Sequence, residues 1–168
     1  MKHRESPPRD HIALRAHHLL CLLGFRGLGY SPEFTENMAR IAARLRADPA
    51  TRIRLRARPD DVCAACPHLD GGCRQEGAES EQRSRRRDRA VLSSLRLRSG
   101  QETSWTEVLL GLAQAFSRDD IAQVCAPCRW LEHGYCAEGL SHLIATGAPK
   151  DWSVNPDSPA ASSAPRSG

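Results

Sequence analysis

Residues 63–73 read Cys-Ala-Ala-Cys-Pro-His-Leu-Asp-Gly-Gly-Cys, and residues 125–136 read Cys-Ala-Pro-Cys-Arg-Trp-Leu-Glu-His-Gly-Tyr-Cys. Each stretch places two cysteines on one short turn and adds a third cysteine after a loop of six or seven residues. The turn lets two thiolates face one centre, and the loop, which spans up to about 20 Å, lets the third cysteine fold back to it. The two triplets therefore predict metal or iron–sulfur binding.

The seventh cysteine, Cys21, lies outside both triplets on a predicted helix that also carries His17 and His18. Residues three and four positions apart share a helix face, so either histidine can act together with Cys21. Seven cysteines and one histidine give eight ligands, enough for two four-coordinate centres. Further candidates for a fourth ligand are His68, His133 and His142. Packing alone is the competing explanation, because buried cysteines and histidines are common in cores.

Three chemistries fit this spacing. Iron–sulfur clusters and structural zinc sites both use CxxC turns, whereas a redox dithiol needs only one CxxC pair. A dithiol, or one zinc site built from both CxxC pairs, leaves Cys73 and Cys136 without a role. The spacing therefore leaves a cluster and two zinc sites open. The candidate cofactor-binding and metal-binding residues are Cys21, Cys63, Cys66, Cys73, Cys125, Cys128, Cys136, His17 and His18.

The composition indicates one small domain with a modest core. The chain has 168 residues, of which 40% are apolar and only 5% aromatic, and a bound metal commonly stabilises so lean a core. Seven cysteines are an odd number, which argues against a complete disulfide framework. Neither a secretion signal nor an apolar run of membrane-spanning length is recognisable, so we expect a cytoplasmic protein without membrane contact.

The pattern of apolar residues predicts an α+β fold that is mostly helical, with one short β element and two cysteine-rich metal-binding loops. Alternating apolar and arginine residues predict the strand at residues 51–57. Apolar spacing and capping residues predict helices at 12–25, 32–48, 79–97, 105–116, 117–125 and 136–145. We expect a flexible leader at 1–11, the metal-binding domain at 12–148 and a disordered tail at 149–168.

Net charge is +4, and the one dense basic run lies at residues 83–89. Acidic residues interleave with the arginines and no aromatic residue does, so a solvated helix face explains the run better than a nucleic-acid site. A nucleic-acid partner remains an alternative.

Several stretches resemble domain-of-unknown-function family 1284, a family of small cysteine-rich prokaryotic proteins. The opening motif reads Leu-Arg-Ala-His-His-Leu-Leu-Cys-Leu-Leu-Gly-Phe at 14–25 and Gly-Leu-Gly-Tyr-Ser-Pro-Glu-Phe at 27–34. Similar motifs lie at 60–69, 88–92 and 134–140, so the likeness covers residues 12–145. Family members are often labelled iron–sulfur or ferredoxin-like, which implies a cluster but no established reaction.

We therefore expect an iron–sulfur cluster, of the [4Fe–4S] type, with an electron-transfer or redox role toward an unidentified redox or protein partner. The alternatives are a zinc-stabilised binding module, with nucleic acid as one partner, and a CxxC thiol–disulfide oxidoreductase. A cysteine–histidine nucleophile is disfavoured, since no acidic residue that would orient the histidine is recognisable in the sequence. No catalytic residue is assigned, and the sequence does not decide whether the chain is an enzyme.

Overall fold

The computed structural model describes residues 9–147 and Trp152. Three strands lie in this part of the chain: β1 (His11–Arg15), β2 (Arg52–Arg56) and β3 (Glu102–Ser104). The helices there are α1 (Ala16–Gly24), α2 (Pro32–Ala47), α3 (Ser80–Leu95), α4 (Trp105–Ala115), α5 (Arg118–Cys125) and α6 (Tyr135–Thr146). Short 3₁₀ turns occupy Cys63–Ala65 and Leu131–His133. The predicted single α+β domain, mostly helical, is confirmed.

The strands form one small sheet in the order β1-β2-β3. β1 runs parallel to β2, which places Ile12 beside Ile53 and Leu14 beside Leu55, whereas β3 runs antiparallel to β2. The parallel pair needs a crossover, and α1 and α2 provide it. The predicted strand at 51–57 is the central strand of this sheet, and the other two strands were not predicted.

The predicted helix at 12–25 is wrong in its first part. Residues 11–15 form β1, and the helix begins only at Ala16. A parallel strand that is covered on both faces shows no alternation of apolar and polar residues, so β1 reads as part of one apolar run. The predicted leader therefore ends earlier than residue 11, since His11 already pairs with β2. β3 is three residues long, too short for a detectable pattern.

Capping residues explain where the helices begin. The Ser31 hydroxyl accepts a hydrogen bond from the Phe34 N–H and starts α2 before Pro32. Ser104 and Glu107 form a capping box at α4, as predicted from the sequence. Ser117 and Asp120 cap α5 in the same way. The later helices lie within two residues of their predicted bounds.

The core lies between the helices and the sheet and includes residues from both ends of the described chain. Trp152 falls inside the predicted tail, yet it is 1% exposed and packs edge-on against Trp105 at 5.1 Å between ring centroids. The predictions for residues 1–8, 148–151 and 153–168 lie outside the described residues. Within residues 9–147, no helix has both the length and the apolar character needed to cross a membrane.

Candidate metal centre

Cysteines from both triplets converge on one cavity. The cavity has a volume of about 70 Å³ and is lined by six cysteines, which are Cys21, Cys63, Cys66, Cys73, Cys125 and Cys128. All seven cysteines of the chain carry free thiols. The spacing predicted that each triplet gathers locally, and the structure brings both triplets and Cys21 to the same space.

Cys136, the third residue of the second triplet, contacts Cys21 rather than lining that cavity. The two thiols share a hydrogen bond, which raises the pKa of Cys21 and lowers the pKa of Cys136. Thiolate charge on Cys125 and Cys128 also raises the pKa of Cys21, so these residues lie near it. The four-cysteine set is therefore Cys21, Cys125, Cys128 and Cys136, and the three-cysteine set is Cys63, Cys66 and Cys73.

Helix packing positions the four-cysteine set. Cys21 lies on α1, Cys125 is the last residue of α5, and Cys136 lies in the first turn of α6. A methyl group at Gly24 would collide with the backbone of Tyr135, and one at Gly139 would collide with the backbone of Leu23. These two glycines let α1 and α6 approach closely enough for Cys21 to meet Cys136.

Arg87 of α3 places a cation beside the four-cysteine set. Its guanidinium lines the cavity and donates a hydrogen bond to the Pro127 carbonyl, between Cys125 and Cys128. The Arg87 Nε is buried without a hydrogen-bond partner. Burial raises the pKa of Cys125 to about 12 and also raises that of Cys128, and Arg87 opposes both shifts. The guanidinium therefore favours negative charge at these sulfurs.

The loop of the three-cysteine set folds back on itself. The Cys66 N–H donates to the Cys63 carbonyl at 2.8 Å and closes the CxxC turn. The Leu69 N–H then donates to the Cys66 carbonyl at 3.2 Å, and Leu69 forms an antiparallel bridge with Cys73. This chain reversal returns the third cysteine to the first two.

Two buried or half-buried carboxylates anchor that loop. Asp60 accepts a hydrogen bond from the Cys63 N–H at 2.9 Å, and Glu81 accepts one from the Cys73 N–H at 2.8 Å. Asp60 also accepts from the Arg15 N–H at 2.6 Å, at the end of β1. Burial raises the pKa of Asp60, but His18 and these N–H groups outweigh it and lower the pKa to about 2. Asp60 is therefore a buried anion that joins β1 to the cysteine loop.

His17 and His18 both line the thiol cavity, and a carboxylate orients each ring. The Nδ1 atom of His17 lies 2.7 Å from Asp88, and that of His18 lies 2.7 Å from Asp60. Burial and the neighbouring His18 lower the pKa of His17 to about 4. A carboxylate on Nδ1 leaves Nε2 for another partner, which is the arrangement that metal-ligating histidines have.

Arg15 connects these carboxylates from inside the protein. It is 1% exposed, and its guanidinium donates to Asp88 at 2.9 Å and to both oxygens of Glu81 at 3.0 and 3.1 Å. Burial lowers the pKa of Arg15, but the two carboxylates outweigh it and hold the pKa above its usual value. The charge of this buried cation is thus compensated on two sides, as buried charges require.

An aromatic cluster lies between the two cysteine sets. Tyr30 stacks on Trp130 of the second cysteine loop, with 4.7 Å between the ring centroids. It also meets His68 of the first cysteine loop edge-on, with 5.1 Å between the centroids. Burial raises the pKa of Tyr30, and thiolates of both sets add to the shift, so the phenol stays neutral. Tyr30 therefore borders both sets.

The other predicted fourth ligands do not line the thiol cavity. His68 and His133 line an open cleft of about 600 Å³, together with Tyr30, Cys128 and Trp130. His142 lies on α6. In contrast, the potential ligand atoms of His18, Asp60 and Cys63 lie within 4.8 Å of one another. The structure thus associates His18, rather than the later histidines, with a cysteine of the first triplet.

The thiols of the two CxxC pairs lack the low pKa that a reactive dithiol requires. Burial raises the pKa of Cys63 and Cys66 in the first pair and of Cys125 and Cys128 in the second. The structure does supply acidic partners for His17 and His18, which the sequence did not reveal. Because Asp60 also raises the pKa of Cys63, however, the carboxylate does not activate that thiol.

Salt bridges and the cysteine site account for part of the arginine run. Arg83 pairs with Glu76 and Glu79, and Arg85 pairs with Glu81. Arg87 reaches the second cysteine loop, whereas Arg86 and Arg89 are exposed. A nucleic-acid partner, which is the alternative interpretation of the run, depends on few exposed cations and stays a prediction.

The sequence-based site omitted residues that surround the candidate ligands, which are Arg15, Tyr30, Asp60, Glu81, Asp88 and Trp130. Arg15, Asp60 and Asp88 lie inside the motifs quoted above, next to the histidines, the first CxxC pair and the arginine run. Each is a charged residue beside an apolar stretch, which is a weak signal of burial. Their partners are 42 to 73 positions away, so the pairing needs the fold.

Neither a curated protein nor a solved structure matches the chain significantly. One family model matches residues 29–134, which is more than half of the chain and includes the first cysteine triplet and the CxxC pair of the second, but neither Cys21 nor Cys136. The chain therefore belongs to the family described as Protein of unknown function (DUF1284).

Proposed function

We propose that this chain is an iron–sulfur protein with an electron-transfer or redox role. The convergence of six cysteines on one cavity, with the seventh beside Cys21, is the observation that carries the proposal. Free thiolates held together repel one another, so gathering them is costly unless a cation or a cluster binds them. Cysteine thiolates are the ligands of iron–sulfur clusters. The proposed compartment is the cytoplasm, where thiols stay reduced.

The composition of the donor set supports a cluster, because iron–sulfur clusters are held by cysteine thiolates, commonly four to a cluster. The donor set is rich in thiolate, and in the four-cysteine set it is composed of thiolate alone. A [4Fe–4S] cluster would be held there by Cys21, Cys125, Cys128 and Cys136.

The surroundings of the thiols suit a redox role. When bound, an iron–sulfur cluster supplies one-electron chemistry at a potential set by charge, hydrogen bonds and exposure. Arg87 contributes positive charge next to Cys125 and Cys128. Cys128 lines both the thiol cavity and the open cleft beside Trp130. Cys128 therefore connects the site to the surface over a short distance, and we propose that a redox partner docks there.

A zinc-stabilised binding module is the second candidate. The pairs His17–Asp88 and His18–Asp60 favour it, because carboxylate–histidine pairs are typical of zinc sites. In this reading the exposed Arg86 and Arg89 are the cations available to a nucleic-acid partner.

Anaerobic purification separates the two candidates. We expect a brown protein with visible absorption that dithionite bleaches and a mild oxidant restores. A colourless protein with stoichiometric zinc, and no spectral response to reductant, supports the binding module instead. A metal-free protein with one titratable dithiol would support the thiol–disulfide oxidoreductase.

A further inference from the structure

The three-cysteine set lacks a fourth thiolate. Cys21 is the one cysteine of the chain outside the two triplets, and its thiol is hydrogen-bonded to Cys136. The four-cysteine set therefore uses Cys21. Because iron–sulfur clusters and zinc sites commonly take four protein ligands, the site at Cys63, Cys66 and Cys73 needs one more ligand from another element.

We infer that His18 is this ligand, so that the site takes an iron–sulfur cluster with three thiolates and one imidazole. The inference rests on the proposed function. His18 and Cys63 share Asp60, which accepts the hydrogen bond from the Cys63 N–H at 2.9 Å and contacts His18 Nδ1 at 2.7 Å. One buried carboxylate thus holds both the His18 ring and the Cys63 backbone. The potential ligand atoms of all three residues lie within 4.8 Å of one another.

His17 is oriented differently, although it lines the same cavity. Asp88 accepts hydrogen bonds from both its backbone N–H at 3.1 Å and its ring. Asp88 lies on α3 and also accepts a hydrogen bond from Arg15. His17 is therefore held by α3 and Arg15, whereas His18 is held by the residue that anchors Cys63.

Imidazole ligation makes the two centres unequal. A neutral imidazole in place of a thiolate removes one negative charge from the first coordination sphere, and a less negative cluster is easier to reduce. Imidazole ligation therefore raises the reduction potential of the centre at the three-cysteine set, whereas the carboxylates of Asp60 and Glu81 beside it act in the opposite direction.

Pulsed EPR of the full chain, purified anaerobically and partly reduced, tests this inference. Partial reduction in successive steps makes each centre paramagnetic in turn, so both are observed. We expect a strong hyperfine coupling to nitrogen that changes from the ¹⁴N to the ¹⁵N pattern when only histidine is labelled with ¹⁵N. The coupling disappears in His18→Cys, which keeps a ligand at the position, and persists in the matched control His17→Gln.

Two results would overturn His18 ligation and leave the proposed function intact. The first is a cluster signal without coupling to histidine nitrogen, and the second is a coupling that survives His18→Cys but disappears in His17→Gln. A chain without iron or sulfide overturns the proposed function as well. The labelling experiment uses the unmodified sequence, so it decides histidine ligation even when His18→Cys does not fold.

Discussion

The loop at Cys63 is anchored by buried carboxylates, whereas the loop at Cys125 is anchored by helix ends. Asp60 and Glu81 accept the backbone N–H groups of Cys63 and Cys73. In the second loop, Cys125 ends α5 and Cys136 begins α6, and Arg87 provides the neighbouring charge. Nearly equal spacing in sequence thus produces an anionic environment around one thiol set and a cationic one around the other. The spacing identifies candidate thiol ligands, and the elements around them determine the charge near each set and the candidate fourth ligand.

Removing the proposed centres is expected to have the largest effect, because both loops would depend on them. On this proposal the centres join α1, α5, α6 and the first cysteine loop, so folding and metal loading would be linked. We expect the chelated protein to unfold at a far lower urea concentration than the loaded protein. Far-UV circular dichroism across a urea titration measures this, with a chelated and reconstituted sample as control. Coincident unfolding curves would contradict the account.

Single cysteine substitutions distinguish the two loops. Cys21→Ala removes a ligand from the four-cysteine set alone, and Cys73→Ala removes one from the three-cysteine set alone. We expect each to lower the iron content by about half, because one of two centres loses a ligand. The exposed substitution Ser93→Ala on α3 serves as the control and leaves iron unchanged. If Cys21→Ala keeps the full iron content, Cys21 is a packing residue and the division into two sets fails.

Substitution of Asp60 tests the carboxylate anchor of the first loop. Asp60→Asn removes a buried charge that faces His18, Arg15 and Cys63, so we expect a loss of about 3 kcal/mol in the free energy of unfolding. Urea unfolding of the loaded protein measures the loss. The exposed Asp70 of the same loop is a matched control, and Asp70→Asn should change stability little. Equal effects of the two substitutions would show that Asp60 anchors nothing.

Substitution of Arg87 is expected to have the smallest effect, confined to the reduction potential of the centre at the second cysteine loop. Arg87→Gln removes positive charge beside Cys125 and Cys128, so the reduced, more negative state of the bound centre is less stabilised. We expect a lower reduction potential in a spectroscopic redox titration, with iron content retained. Arg86→Gln, at an exposed position on the same helix, should leave the potential unchanged. An unchanged or raised potential in Arg87→Gln is the contrary outcome.

Local patterns predicted most of the helices and the cysteines that converge. The serine caps at Ser31 and Ser104 mark helix starts, and the CxxC pairs identify cysteines that meet. β1 was missed because a strand covered on both faces reads as part of the apolar run that continues into α1. The acidic partners of the histidines were missed because they lie 42 and 71 positions away. Such pairs form only when the sheet end, α3 and the first cysteine loop meet.

The central claim is that an inorganic centre gathers the cysteines, and the most direct measurement is iron and acid-labile sulfide in the anaerobically purified chain. With a [4Fe–4S] cluster at both sets, we predict about eight iron atoms and about eight sulfide ions per chain. Stoichiometric zinc without sulfide would instead support the zinc-stabilised binding module. A folded chain with all seven thiols titratable and no bound metal would contradict the claim itself.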